Sequence, residues 1–407
     1  LFQILEIDII DTKYKYFKSP WIFSNQVKHL DDKLLNPEKI SLVTLKGTKK
    51  IGIYNKTSLI SIRLLPDCIM DKVENNSISS EAFIEQLSVY IKKLQNEKNT
   101  FTFANKEAYR LSHGDNDGLP ALAIDDYKSV LVLQSSAAVG DFLVPYVVEA
   151  LKRVSDLPIF ERSTGQIRKL EQLPERTRWI EKPKIDSSFD ISCFFAHLTM
   201  NFSLNKAQKT GLFLDQRNNL KYLAELLKSY NIKKSLDICS YAGAWSAIAA
   251  QAGVTDLTLI DQDAWALQLA QKNVEQNALH APLIRTLHGD MFEHLQNLNK
   301  STQKFDLIIA DPPAFAKAKK NVAEAKRAYT KMTRLAHNLL NENGILVVCS
   351  CSRHIEDQDF LESVSLGLSA QNWVLLHKGE QSPCHTRLAT PDSSEYLKCY
   401  FIKKRVL

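Results

Sequence analysis

The stretch SLDICSYAGAWSAIAAQAGVTDLTLIDQD, residues 235–263, decides the fold. An apolar run over 235–239 leads into a polar turn containing Gly243, a helical period over 244–252 and a second apolar run over 257–261. The same unit recurs downstream, where apolar runs at 283–288, 306–310 and 345–349 alternate with amphipathic segments at 264–277, 322–340 and 356–368. Strands and helices alternating at this spacing specify a parallel sheet covered by helices on both faces. The reading is α/β, a Rossmann-like domain with a mostly parallel sheet.

The chain upstream follows other patterns. Residues 1–66 hold short apolar runs at Ile40–Leu45, Lys50–Tyr54 and Leu59–Leu65 between polar turns, with a helical period only near Val27–Leu35, which reads as a small β-barrel module. Glu81–Gln95 then sets Phe83, Leu87, Tyr90, Ile91 and Leu94 on one helical face. Residues 101–160 read as strands 101–104 and 108–111, a turn at His113–Gly118, strands 121–125 and 130–134, a helix 141–153 and a strand 157–160. Arg162–Lys184, charged and with two Pro, reads as a linker. The boundaries fall near 70 and 190, giving a β-barrel domain 1–69, a central α+β domain 70–190 and the α/β domain 191–407. At about 150 residues per domain, two or three domains is what this length supports.

Apolar residues make up 44% and charged residues 24%, a globular balance that excludes a disordered scaffold. No window approaches 18 uncharged apolar residues, so no membrane partner is expected and a soluble cytoplasmic protein is the expectation. The seven Cys are scattered without a C-x-x-C pair, which excludes a disulfide framework and a Cys-type zinc site; no metal is expected. The net charge of +6 is uneven: residues 1–190 carry 27 basic against 26 acidic residues, residues 191–407 carry 25 against 20. Residues 317–334 hold seven basic residues, including Lys317, Lys319, Lys320 and Arg327, and one acid, Glu324. An acidic partner is therefore expected to meet the C-terminal half.

In an open α/β sheet the ligand lies beyond the carboxyl ends of the strands. Gly243 follows the first strand and lets the backbone approach a ligand closely, Asp261 ends the second and suits two ribose hydroxyls, and Asp290 follows the third within reach of an exocyclic amine. Together they point to a nucleoside-bearing cofactor. The first loop has no G-x-G-x-x-G, so a methionine-bearing nucleoside fits better than a dinucleotide. The fourth strand ends Asp306-Leu-Ile-Ile-Ala-Asp311-Pro-Pro-Ala-Phe315, where Pro-Pro stiffens the loop and sets a carboxylate beside an aromatic ring, suited to an extruded base. The fifth ends Cys349-Ser350-Cys351-Ser352; alternation puts both thiols on one side, with Cys351 nearer the strand end and the candidate nucleophile. The basic run beside the Asp-Pro-Pro loop suits phosphate contacts.

These motifs resemble the large-subunit ribosomal RNA cytosine-C5 methyltransferase family of bacteria, the RlmI-like enzymes. Pro20-Trp21-Ile22-Phe23-Ser24, Ile53-Tyr54-Asn55, Ile62-Arg63-Leu64-Leu65, Asp117-Gly118-Leu119-Pro120, Arg168-Lys169-Leu170-Glu171, Gln208-Lys209-Thr210-Gly211 with Phe213-Leu214-Asp215-Gln216-Arg217, and the two strand-end motifs above carry the likeness over nearly the whole chain. The resemblance implies an N-terminal PUA domain, a small central α+β domain and a class I methyltransferase domain. It also implies S-adenosylmethionine (SAM) as cofactor, and methyl transfer to C5 of a cytosine in large-subunit rRNA through a covalent adduct of Cys351 with C6. By resemblance, Lys209, Thr210, Gly211, Asp215 and Arg217 close over the cofactor, Ser240, Tyr241 and Gly243 line its methionine end, and Asp311 faces both cofactor and base. Phe315, Lys317, Lys319, Lys320 and Arg327 are the expected substrate-binding residues.

The chain departs from the family pattern at Ala244-Trp245, at Ala121 and at Arg353-His354, and it has no further Cys in the Asp-Pro loop. Two other readings stay open: methylation of an exocyclic amine without a covalent step, which the Asp-Pro-Pro-x-Phe motif also suits, and an RNA-binding protein of ribosome assembly without the reaction. Which nucleotide is modified and whether the chain forms a homodimer are not fixed by the sequence.

Overall fold

The computed structural model describes residues 2–7, 19–27, 41–45, 50–101, 103, 105–183, 189–368, 373–389 and 395–404. They form two compact units, one of residues 1–191, 203–211 and 383–394, the other of residues 192–202, 212–382 and 395–407.

In the first unit, strands β1 (Leu5–Ile7), β2 (Trp21–Ile22), β3 (Ser41–Leu45), β4 (Ile51–Tyr54) and β5 (Ile62–Leu64) make a five-stranded sheet in the order β1-β3-β4-β5-β2. The expected barrel is not closed among the described residues. Strand β2, two residues long, pairs only with β5, through Trp21 opposite Arg63 and Ile22 opposite Ile62, and offers no length for a second ladder. Its core is small: Ile7, Ile22, Val27, Val43, Leu45, Tyr54 and Ile62. Most of Val27–Leu35 lies outside the described residues, as does Ile40.

Helix α1 (Ser80–Lys98) starts at Ser79, whose hydroxyl accepts from the Ala82 amide at 3.0 Å, and buries Phe83, Leu87, Ile91 and Leu94, the face read from the sequence. Strands β6 (Tyr109–His113), β7 (Leu122–Asp126), β8 (Leu131–Ser135), β9 (Ile159–Ser163) and β10 (Arg176–Glu181) form a sheet in the order β10-β9-β8-β7-β6, with helix α2 (Ala138–Val154) between β8 and β9. Two expectations fail here. Phe101 and Phe103 lie in a turn; their rings stack at 5.5 Å and pack on the core, which produced a strand-like alternation, while Thr102 and Ala104 lie outside the described residues. The expected linker 162–184 instead holds a short helix, Gln166–Leu170, and strand β10. Its charges are paired inside the fold: Arg176 binds Glu161 at 2.7 Å and Asp141 at 2.6 Å, and fully buried Arg168 binds Asp141 at 2.6 Å.

The second unit is the α/β layer. Strands β11 (Lys234–Ile238), β12 (Asp256–Asp261), β13 (Leu283–His288), β14 (Phe305–Ala310), β15 (Leu340–Ser350), β16 (Trp373–Gly379) and β17 (Lys398–Lys404) lie in the order β13-β12-β11-β14-β15-β17-β16. The first five are parallel; β17 runs antiparallel to both neighbours, so the sheet is mixed. Helices α3 (Arg217–Leu227), α4 (Ala244–Gln251), α5 (Ala264–Asn277), α6 (Met291–Asn299), α7 (Val322–Asn338) and α8 (Asp357–Leu368) flank it. Strand order reverses between β11 and β14, where ligands of such sheets bind. Helices α3 and α6 and strands β16 and β17 are additions to the sequence reading; α3 buries Leu220, Leu223 and Leu227 at helical spacing. Among the described residues, no helix is long and apolar enough to cross a membrane.

Candidate active site

The loop after β11 is built by close packing. Gly243 has φ of +76°, and a Cβ there would lie 2.8 Å from Ala270 Cβ on α5. The glycine thus lets α4 start against α5, a packing reason beside the ligand approach read from the sequence. Cys239 and Tyr241 also hold positive φ, 62° and 46°. The Ser240 hydroxyl, in the middle of this turn, is buried without a hydrogen-bond partner among the described residues. Beneath it, fully buried Asp237 accepts from Ser246 Oγ at 2.7 Å; burial pushes its carboxyl up to about 7, with the charges of Asp311 and Asp261 adding to the rise.

The acids of the next two strand ends are held by main-chain amides. Asp261 accepts from the Tyr241 amide at 2.8 Å through Oδ2 and from the Asp263 amide at 2.9 Å through Oδ1. Asp290 caps α6, accepting from Phe292 at 2.8 Å and Glu293 at 3.1 Å. One carboxylate is thereby fixed against the β11 loop, and the other is a helix cap.

Asp311, at the end of β14, is held by side chains distant in sequence. Its Oδ2 accepts from Gln216 Nε2 at 2.9 Å and from the Trp245 indole N–H at 3.0 Å. Neither donor was a site residue in the sequence reading; Trp245 stood there as a departure from the family, and Gln216 was one letter of a motif. Gln216 in turn accepts from Asn219 at 2.7 Å. Asp215 accepts from the Tyr396 hydroxyl at 2.6 Å, and the Arg217 guanidinium, fully buried, lies 4.8 Å from the centroid of the Phe195 ring.

The two thiols at the end of β15 differ. Cys349 is fully buried with its Sγ 3.2 Å from Cys399 on β17, and burial holds it well above the usual thiol range. Cys351 lies one residue past the strand, half-buried, its Sγ 3.9 Å from the Pro312 carbonyl of the Asp-Pro-Pro loop. The same loop is tied down from the other side. The Ala316 amide donates to Ser352 Oγ at 3.3 Å, and the Tyr329 hydroxyl of α7 bonds Ser350 Oγ at 2.8 Å and Ser352 Oγ at 3.0 Å. Phe315 packs its ring 4.6 Å from that of Tyr329 and also rests on the core.

Lys317, Lys319, Lys320 and Arg327 are exposed, whereas Lys326 of the same run is occupied by Asp359 at 2.8 Å and Glu362 at 2.7 Å. Lys209, Thr210 and Gly211 fall in the first unit. There Thr210 donates to Asp125, which Arg110 also binds at 2.5 Å.

The second unit's sheet, with Asp261 at the second strand end and an Asp-Pro-Pro loop at the fourth, has the class I SAM-dependent methyltransferase fold. Solved structures agree at the level of fold. A candidate methyltransferase in complex with SAH aligns over 98% of this chain and 99% of its own at TM-score 0.76 and 20% identity. A candidate SAM-dependent methyltransferase from Streptococcus mutans aligns over 98% and 100% at TM-score 0.75 and 20% identity. The methyltransferase small domain family model matches residues 212–367. Ribosomal RNA large subunit methyltransferase I of Serratia proteamaculans is 30% identical over 94% of this chain and 94% of its own. This chain belongs to the ribosomal RNA large subunit methyltransferase I family.

Proposed function

We propose that the protein transfers a methyl group from SAM to C5 of a cytosine in large-subunit rRNA, with Cys351 as nucleophile. The observation that carries this reading is a half-buried thiol just past β15, beside a Pro-Pro loop whose Asp311 is oriented by two side-chain donors. The family's printed name supports rRNA as the substrate class, and the SAH complex of the structural relative supports the cofactor.

Carbon 5 of cytosine is a poor nucleophile. Addition of the Cys351 thiolate to C6 makes C5 enamine-like; C5 then takes the methyl, and loss of the C5 proton expels the thiolate. SAM, when bound, would supply the electrophilic methyl and leave as S-adenosylhomocysteine. Asp311 hydrogen-bonds the N3/N4 edge of the base and stabilises the adduct, while Phe315 lines the base site. The orphaned Ser240 hydroxyl fits a polar group of the cofactor's methionine end, with Tyr241 and Gly243 beside it. Asp261 takes the ribose, Asp290 approaches the adenine, and Asp215 and Arg217 complete the cofactor site. Exposed Lys317, Lys319, Lys320 and Arg327 contact phosphates. Residues 1–69 and 70–190 serve as a PUA-like module and a central domain, and the reaction is cytoplasmic.

The test is transfer of labelled methyl from SAM to unmodified large-subunit rRNA, digested to nucleosides and resolved by mass. We expect 5-methylcytidine with the native chain and none with Cys351→Ala. A methylated adenosine or guanosine indifferent to Cys351 overturns the reading in favour of amine methylation.

A further inference from the structure

Strand β17 places Lys398 opposite Ser350 at the end of β15. The side chain runs inward: the residue is 4% exposed, and its ammonium donates to the carbonyls of Ser352 at 3.1 Å and Tyr396 at 3.3 Å. Among the described residues it forms no ion pair. A buried ammonium held only by neutral carbonyls is costly unless an anion lies near. Burial lowers its proton affinity, and the groups near enough to oppose this when ionised are Glu395, Asp357, Cys351 and Glu356. Of these, Asp357 already pairs with Lys378 at 2.8 Å and accepts from Tyr400 at 2.8 Å. Cys351 directly precedes the residue whose carbonyl anchors the ammonium.

We infer that Lys398 is the positive charge that holds Cys351 as a thiolate, a positioning residue acting through the nucleophile. It grips the carbonyl of Ser352, so it fixes the peptide that carries the thiol as well as supplying the charge. The other groups around this thiol act otherwise. Tyr329, raised to about 12 by burial and also by Cys351, stays a neutral phenol bonded to Ser350 and Ser352. Asp311, on the neighbouring strand end, carries the opposite sign, and Arg353 and His354 follow in the loop, Arg353 exposed. The inference rests on the proposed role of Cys351.

The test reads the thiol rather than the reaction. Iodoacetamide modification of Cys351 in the full chain is followed by peptide mass from pH 5 to 10. The expected native result is half-maximal reactivity below the ordinary thiol value of about 8.5. Lys398→Met moves the midpoint up by about one unit or more, slowing modification at pH 7 roughly tenfold, because one opposite charge is lost. Lys398→Arg keeps the midpoint low, and Arg353→Gln leaves it where it is. A native midpoint at or above 8.5, or an unchanged midpoint in Lys398→Met, overturns the inference. If Lys398→Met does not fold, the native midpoint and Lys398→Arg decide it. Cytosine methylation that survives Cys351→Ala would instead remove the nucleophile reading and leave the thiol titration to stand by itself.

Discussion

The strand ends of the α/β unit fall into two halves held in different ways. At β12 and β13 the carboxylates of Asp261 and Asp290 are fixed by main-chain amides, mostly two or three residues away. At β14 and β15, Asp311 is fixed by side chains 95 and 66 residues away, and the Asp-Pro-Pro loop by Ser352 and Tyr329. Amides of a strand-to-helix turn are supplied by any sequence with that backbone. A tryptophan and a glutamine aimed at one carboxylate oxygen are supplied by these residues alone, so the second half is expected to tolerate substitution less.

That contrast can be broken at several points. The largest effect is expected at the two neighbouring thiols. Cys351→Ala removes 5-methylcytidine formation by roughly 10^4-fold or more, as loss of a covalent nucleophile does. Cys349→Ala costs about 1–2 kcal/mol of stability in a denaturant melt and leaves turnover within about threefold, since it deletes only a buried sulfur. Equal losses at both positions would erase the distinction.

Next comes Trp245→Phe, which keeps an aromatic ring but deletes the indole N–H that donates to Asp311. A hydrogen bond to a charged group contributes about 1.5–3 kcal/mol, so kcat should fall roughly 10- to 100-fold with SAM affinity nearly unchanged. Asp261→Asn acts in the other half. An amide accepts through one oxygen only, so one of the two main-chain contacts is lost, and calorimetry should show SAM binding weakened roughly tenfold with RNA affinity intact.

The smallest effect is a pH dependence. The folded-state carboxyl of Asp237 sits at about 7, above its ordinary value of 3.8, so between those values the folded chain binds more protons than the unfolded one. Stability from this group therefore falls as pH rises from about 4 to about 7. Asp237→Asn keeps an acceptor for Ser246, and its melting temperature should exceed that of the native chain at pH 8 by more than at pH 5. A gap independent of pH would show that Asp237 does not titrate in this range.

Much of the second unit was legible because its signals are local. Buried parallel strands such as Ser235–Ile238 are short apolar runs, and Asp261 and Asp311 stand at the ends of two of them. What escaped was set by partners far along the chain. Gln216 and Trp245 gain meaning only when the sheet brings β14 beside β11, and Lys398 only when β17 inserts antiparallel next to β15. The charged segment 162–184 misled for the same reason: Arg168 and Arg176 read as part of a linker until Asp141 and Glu161 are seen to receive them.

The central claim is that a covalent bond forms between Cys351 and the base. The direct measurement is incubation with SAM and an rRNA fragment containing 5-fluorocytosine, in which the missing C5 proton blocks release. The account predicts a denaturation-stable protein–RNA adduct mapping to Cys351 and absent from Cys351→Ser. Methylation of unmodified RNA with no adduct on the fluorinated RNA, or an adduct that persists in Cys351→Ser, would contradict it.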